Sequence, residues 1–342
     1  MSIEDTWYGE TITAKSARAA LAPLSWLYGA AVAARNSMYD THMLRSVRSA
    51  VPVISVGNVT VGGTGKTPFT AFIVAELIAG GHRPAVVMRG YGDDEPKLHA
   101  RMNPSAPVYV NADRVAGIEE AVSAGADVVV LDDGFQHRRA ARDLDIVLVS
   151  AERWLERARV LPAGPLREGV VALRRADLVV VTRKSAGDAT AREVAASVQL
   201  IAGREKPIAI ASLEPTALVA ATGTESLPLS ALSGARVLAV AGVGDPASFF
   251  EQLRALGASV TTRRFRDHHA YTSRDATELA ADAVSHKYVV TTEKDAVKLA
   301  LKWPANGPEL WYLSQAVRLS VGTTAVAAAL VNSFKRATSI VG

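Results

Sequence analysis

Cysteine is absent from the 342 residues, which excludes disulfides and cysteine-based zinc sites. No apolar run reaches the roughly 20 residues that a membrane-spanning helix needs. The segment Met1 to Glu10 carries acids rather than a basic stretch, and does not read as a secretory signal. Excess charge is small, +4 at neutral pH with a pI of about 9.3. That balance is too weak to argue for nucleic acid, and no basic stretch is interleaved with aromatics. It leaves an anionic substrate or an anionic membrane surface open. Internal repeats and low-complexity segments are lacking, apart from alanine richness. What is present is a globular composition, 49% hydrophobic and 21% charged, in a chain long enough for two domains.

Against that background one motif stands out. The apolar run Val51 to Val56 leads into Gly62-Gly63-Thr64-Gly65-Lys66-Thr67. A strand ending in glycines and then Gly-Lys-Thr reads as a phosphate-binding loop. Glycines let several backbone N–H groups point at one polyphosphate. Lys66 reaches the β- and γ-phosphates in such a loop, and the Thr67 hydroxyl holds Mg²⁺. A helix over 67–79 adds the positive end of its dipole. Thr60 stands where the first glycine of the general pattern would be. The spacing of Gly57, Gly62, Gly63 and Gly65 fits a dinucleotide fingerprint worse. The chain is therefore expected to handle a nucleoside triphosphate.

The partner of this loop is Asp127-Val-Val-Val-Leu-Asp132-Asp133. Apolar residues ending in an acid place Asp132 at the carboxyl edge of a parallel sheet, where it can hold Mg²⁺. Asp133 is a lesser candidate. Further strands are expected at 83–89, 144–149, 176–181, 235–241 and 287–292, and helices at 113–125, 246–257 and 295–301. This alternation predicts an α/β fold: a P-loop NTPase-like parallel sheet domain with a second, smaller α/β domain. The pattern loosens after residue 205, at Pro207, Pro215 and the Gly/Thr/Ser stretch 222–230. The expected domains are 1–205 and 206–342. Near the N-terminus, residues 19–34 are uncharged, with Trp26 and Leu27 among alanines and basic residues on either side. They read as an interfacial helix or as an ordinary helix packed on the core.

Collinear motifs then make a specific resemblance. Val56 to Pro68, Arg89 to Gly92, Asp94 to Pro96, Leu131 to His137, Arg142 to Ile146, Leu161 to Glu168, Asp267 to Tyr271 and Thr292 to Lys298 resemble the tetraacyldisaccharide 4′-kinases of lipid A biosynthesis. Pro23 to Gly29 and Arg35-Asn36 resemble that family's N-terminal segment, and Thr60 is the family's own variant. The resemblance implies transfer of the ATP γ-phosphate to the 4′-hydroxyl of a tetraacylated glucosamine disaccharide 1-phosphate. It implies ATP and Mg²⁺ as cofactors. It also implies peripheral attachment to the cytoplasmic face of the inner membrane, through a helix over about 18–35, with the second domain closing over the active site. No nucleic acid and no obligate protein partner are expected.

By motif, the acceptor-activating pair falls on Asp94 and His268. Asp267 and His269 are neighbours that point differently. Relatives carry a stretch between Arg-Gly-Tyr-Gly and Gly-Asp-Glu-Pro that is nearly deleted here, with Asp93 in place of the glycine. Asp94 is favoured over Asp93 by its place before Glu95-Pro96. Among lesser candidates, Glu168 is a second acid for the metal. Arg114 meets a phosphate or is a solvated helix-start charge. Gln136 and His137 orient phosphate or water. Thr292-Glu-Lys-Asp295 has the wrong order for a guanine-reading motif, which argues against a GTPase.

Overall fold

The computed structural model describes residues 3–90, 94–155 and 158–338. In chain order the elements are α1 (Ile3–Tyr8), α2 (Ile12–Asp40), β1 (Val53–Asn58), α3 (Lys66–Ala79), β2 (Pro84–Met88), α4 (Asp94–Met102), β3 (Val108–Val110), α5 (Arg114–Ser123), β4 (Val128–Asp132), β5 (Leu144–Ser150) and β6 (Leu178–Arg183). There follow α6 (Asp188–Ala202), β7 (Ile208–Ala220), β8 (Ser226–Leu227), β9 (Arg236–Ala241), α7 (Pro246–Ala255), β10 (Ser259–Arg264), α8 (Ser273–Ala283), β11 (Tyr288–Thr292), α9 (Glu293–Leu299), β12 (Leu310–Val321) and α10 (Thr323–Thr338).

All the strands belong to one sheet, in the order β10-β9-β11-β12-β7-β6-β5-β1-β4-β2-β3, with β8 beside β7. Pairing is parallel except for β12 and β8 against β7. The central strands are buried along their whole length, as expected for parallel strands covered on two faces. Side chains alternate. Ile54 and Val56 pack against Phe69, Ile73 and Val74 of α3 and Val326 of α10, whereas Val53 packs against Val115 and Ile118 of α5. Helix starts are capped: Asp113 accepts from the Val115 N–H, and Thr272 and Asp275 form a reciprocal capping box.

The strand directions create the site. β12 is antiparallel to β7, and β11, β9 and β10 run with β12, so this second set opposes the first. The first set ends level with Ser212 of β7, the partner of Arg183. The second ends level with Leu218, whose partner Leu313 lies beside Thr292. The carboxyl ends of the two sets thus face each other across residues 213–217. Ligands bind outside the carboxyl ends of strands in open α/β sheets; here two such edges share one cleft.

β7 runs through Pro215, where the sequence pattern loosens, because the ladder shifts register there: Ser314 pairs with Ala217 and Gln315 with Pro215. A bulge is a position where a sheet tolerates proline. Asp94 to Pro96 forms the first turn of α4. The N-terminal helix α2 runs over 29 residues, through Pro23, and exceeds the expected 18–35. Asp93 lies outside the described residues.

Candidate functional site

The cleft between the two strand sets has a volume of about 370 Å³, within the usual range for a small-ligand site. Loops after β1, β2, β4 and β6 line one side, and those after β9, β10 and β11 the other. The glycine loop between β1 and α3 occupies the first side. Gly62 (φ +109°) and Gly65 (φ +79°) adopt a backbone that other residues rarely reach. A Cβ on Gly63 would approach Asp245 Cβ at 3.3 Å, a tight contact that Asp245 would have to yield to. Lys66 opens α3, and Lys66, Thr67 and residues 62–65 all line the cleft. Thr60 pairs with Leu166 in a bridge at the base of the loop.

Asp132 and Asp133 follow β4. Asp132 is buried; its Oδ1 accepts from Thr70 Oγ1 at 3.3 Å and its Oδ2 lies 2.8 Å from His99 Nε2. Asp133 turns back at φ +55° and accepts from Arg167 Nη1 at 2.7 and 2.9 Å, with Lys66 Nζ at 3.7 Å. Burial would push its carboxyl up, but Lys66 and Arg167 hold it below its usual range. Arg114, buried at the start of α5, lines the same cleft and donates to the Asn111 carbonyl at 3.2 Å.

Across the gap, His268 in the loop after β10 faces Asp94, with Nδ1 3.7 Å from Oδ2. His268 sits at φ +57°. Its Nε2 is 3.1 Å from Lys294 Nζ, and Lys294 also meets Glu95 at 3.2 Å. Lys298 Nζ stands 3.4 Å from Asp94 Oδ2. Burial opposes the charge on Asp94, but His268, Lys294 and Lys298 hold it well below the usual carboxylate range. Asp94 in turn raises His268 against the effect of burial. A proton reaching this pair therefore rests on His268. His269 is diverted: it contacts Asp275 at 3.2 Å and packs on Phe265 and Tyr271.

Three lesser candidates lie away from the cleft lining. Glu168 is buried and accepts from Asn36, Gln136 and Arg175 at 2.8 to 3.0 Å. Gln136 joins Glu168 to the Asn58 carbonyl behind the loop. Burial, with Arg114 nearby, pulls His137 down to about 4. The structure does not bring these side chains to the glycine loop. It does add residues that the candidate set omitted. Arg167 and Lys294 fall inside quoted motifs; Lys184, which bonds the Gly63 carbonyl at 3.2 Å, and His99 carry no local signal.

Could this cleft take a metal and a polyphosphate? The donors present fit. Among the described residues no three acidic or imidazole side chains form a self-sufficient metal cage. Mg²⁺ in phosphate chemistry needs few protein ligands, since phosphate oxygens and water complete its shell. Asp132 and the Thr67 hydroxyl beside a glycine cradle supply that kind of partial set.

Comparison with known proteins gives one family. Residues 17–335 match the family described as tetraacyldisaccharide-1-P 4′-kinase. The chain is 42% identical over 327 residues to the tetraacyldisaccharide 4′-kinase of Anaeromyxobacter sp. (strain Fw109-5), covering 87% of each chain. It is 39% identical over 333 residues to that of Halorhodospira halophila, covering 92% of this chain and 91% of the relative. Among solved structures it is similar to LpxK from Aquifex aeolicus, crystallised in complex with ATP. The TM-score is 0.72 and the identity 30%, over 93% of this chain and 99% of that one.

Proposed function

The chain belongs to the tetraacyldisaccharide-1-phosphate 4′-kinase family, and we infer from that membership and from the cleft that it is the lipid A 4′-kinase of its cell. It transfers the γ-phosphate of ATP to the 4′-hydroxyl of a tetraacylated glucosamine disaccharide 1-phosphate. One observation carries the reading: a phosphate loop with Lys66 and Asp132 on one side of a single cleft, and the Asp94–His268 pair on the other.

The residues divide the work. Loop N–H groups and Lys66 bind and neutralise the triphosphate. Thr67 and Asp132 would hold Mg²⁺, which when bound offsets charge on the β- and γ-phosphates. Arg167 and Lys66 keep Asp133 ionised, and Arg114 stands near the phosphates. Glu168 joins the site indirectly, by holding Gln136 and Arg175. Asp94 orients the acceptor hydroxyl, and the pair receives its proton on His268. The second unit, residues 206–342, closes over the cleft and brings His268 and Lys294 to α4. Purified protein given Mg-ATP and tetraacyldisaccharide 1-phosphate should yield the 1,4′-bisphosphate. ATP turnover that ignores the lipid acceptor would favour a different P-loop enzyme.

A lipid substrate must be met at an interface, and α2 is built for one. Its inner face is stitched to the body: Ser25 donates to the Val160 carbonyl at 3.0 Å and Tyr28 to that of Arg167 at 2.9 Å. Its outer face presents Trp26, 80% exposed, and Leu27, 70% exposed. No helix among the described residues is long and apolar enough to cross a membrane. The exposed Trp26 and Leu27 support a helix that lies on a membrane surface, which in this reading is the cytoplasmic face of the inner membrane. Deleting the helix would also strip the bonds to Val160 and Arg167, so point changes are the cleaner test. Trp26→Ser with Leu27→Ser should lower co-sedimentation with anionic vesicles by about tenfold or more, because each large apolar side chain contributes roughly 1.5–3 kcal/mol when fully buried. Unfolding temperature should not move. Unchanged vesicle binding would place the contact elsewhere.

A further inference from the structure

We propose that His99 is a positioning residue for the metal-binding carboxylate, and that it ties the acceptor side of the site to the nucleotide side. The inference rests on the reading of Asp132 as a Mg²⁺ ligand. His99 is completely buried on α4, and it does not line the cleft. Its Nε2 lies 2.8 Å from Asp132 Oδ2. A carboxylate only accepts, so Nε2 carries the proton and donates. Nδ1 is buried and meets no hydrogen-bond partner among the described residues. An unsatisfied buried nitrogen costs stability. A leucine would carry no such unpaired nitrogen, so the imidazole is hard to account for by packing alone.

The contact has two consequences for the site. It commits Oδ2 to His99 while Thr70 reaches Oδ1 only at 3.3 Å, so the rotation of the carboxylate is set mainly by the histidine. It also spans elements. α4 carries Asp94 and Glu95 in its first turn and His99 beyond them. β4 carries Asp132 at its end. One hydrogen bond therefore joins the helix of the acceptor-activating pair to the strand of the metal carboxylate. Partners that orient metal ligands from behind commonly change metal affinity by about 10- to 100-fold when removed.

The test uses the full chain, ATP and Mg²⁺, and reads binding rather than turnover. ATP affinity is measured by calorimetry without metal and across a Mg²⁺ titration. His99→Leu should leave metal-free ATP affinity unchanged and raise the Mg²⁺ midpoint by about tenfold or more. His99→Gln, which keeps a donor at similar reach, should restore the midpoint to near wild type. His99→Asn, too short to reach Asp132, should behave like the leucine variant and decides the matter if that one does not fold. An unchanged midpoint in a folded leucine or asparagine variant overturns the proposal. So does a loss of metal-free binding equal to the loss with metal, which marks a merely structural role. Asp132→Asn separates the two levels. If it raises the midpoint and His99→Leu does not, only the role of His99 falls. If it too leaves the midpoint unchanged, the metal assignment falls and takes this inference with it.

Discussion

Lys66→Ala is expected to lower kcat by about 100- to 1000-fold, the usual cost of removing one group that neutralises charge developing at the reacting centre. The fold should survive. The ion-pair partner of Lys66 is Asp133, which keeps both of its contacts from Arg167, so no buried charge is stranded. Calorimetric unfolding should therefore show little change while phosphate transfer to the disaccharide collapses. Turnover within a few-fold of wild type, in folded protein, would remove Lys66 from the phosphate site.

The second large effect concerns the pair that spans the cleft. Asp94→Ala and His268→Ala should each reduce kcat by about 100-fold or more, the lower end of what a positioned proton acceptor contributes. The double variant should be little worse than either single one, because groups serving one step are not additive. Nucleotide binding should persist in all three. Lys298 loses one partner in Asp94→Ala but keeps Asp295 at 3.3 Å. The pH profile adds a sign. Asp94 raises His268, so the acid limb of kcat should lie above the ordinary histidine range in wild type. It should move to lower pH in Asp94→Asn, where that support is gone. A limb that stays put, or fully multiplicative losses in the double variant, would assign the residues to separate roles. Asp93→Ala should be mild; a severe loss there with Asp94→Ala near wild type would shift the reactive carboxylate by one position.

The phosphate loop and the strand before Asp132 were legible because their information is local. Glycines, a lysine and an apolar run are read within a dozen residues, and the elements stand where the periodicity places them. Asp94 and His268 have no such signal. Each looks like an ordinary loop residue, and only family resemblance singled them out; their approach depends on two strand sets meeting end to end. That meeting was hidden by Pro215, which reads as a break in a strand yet sits beside a bulge within β7. His99 was invisible for a related reason. Its partner is 33 positions away, and a histidine inside a helical segment carries no mark of what it will face. Glu168 was legible as an acid near the motif, but not as one already shared among Asn36, Gln136 and Arg175.

The position of the last helix bears on how the chain acquires its shape during synthesis. Val326 of α10 is buried in the same cluster as Phe69 and Ile73 of the phosphate-loop helix, and Leu330 and Phe334 pack against that cluster. β7, which flanks β6, also lies beyond residue 205. While a ribosome is still making residues 206–342, the preceding residues include the glycine loop but have an uncovered apolar face. The core around Phe69 and Ile73 therefore cannot be completed until the C-terminal residues emerge, and a chain released early would expose that face to aggregation. The long separation between Phe69 and Val326 also makes this a slow, late contact. The order of maturation is then opposite to the order of translation: the part made first is completed last.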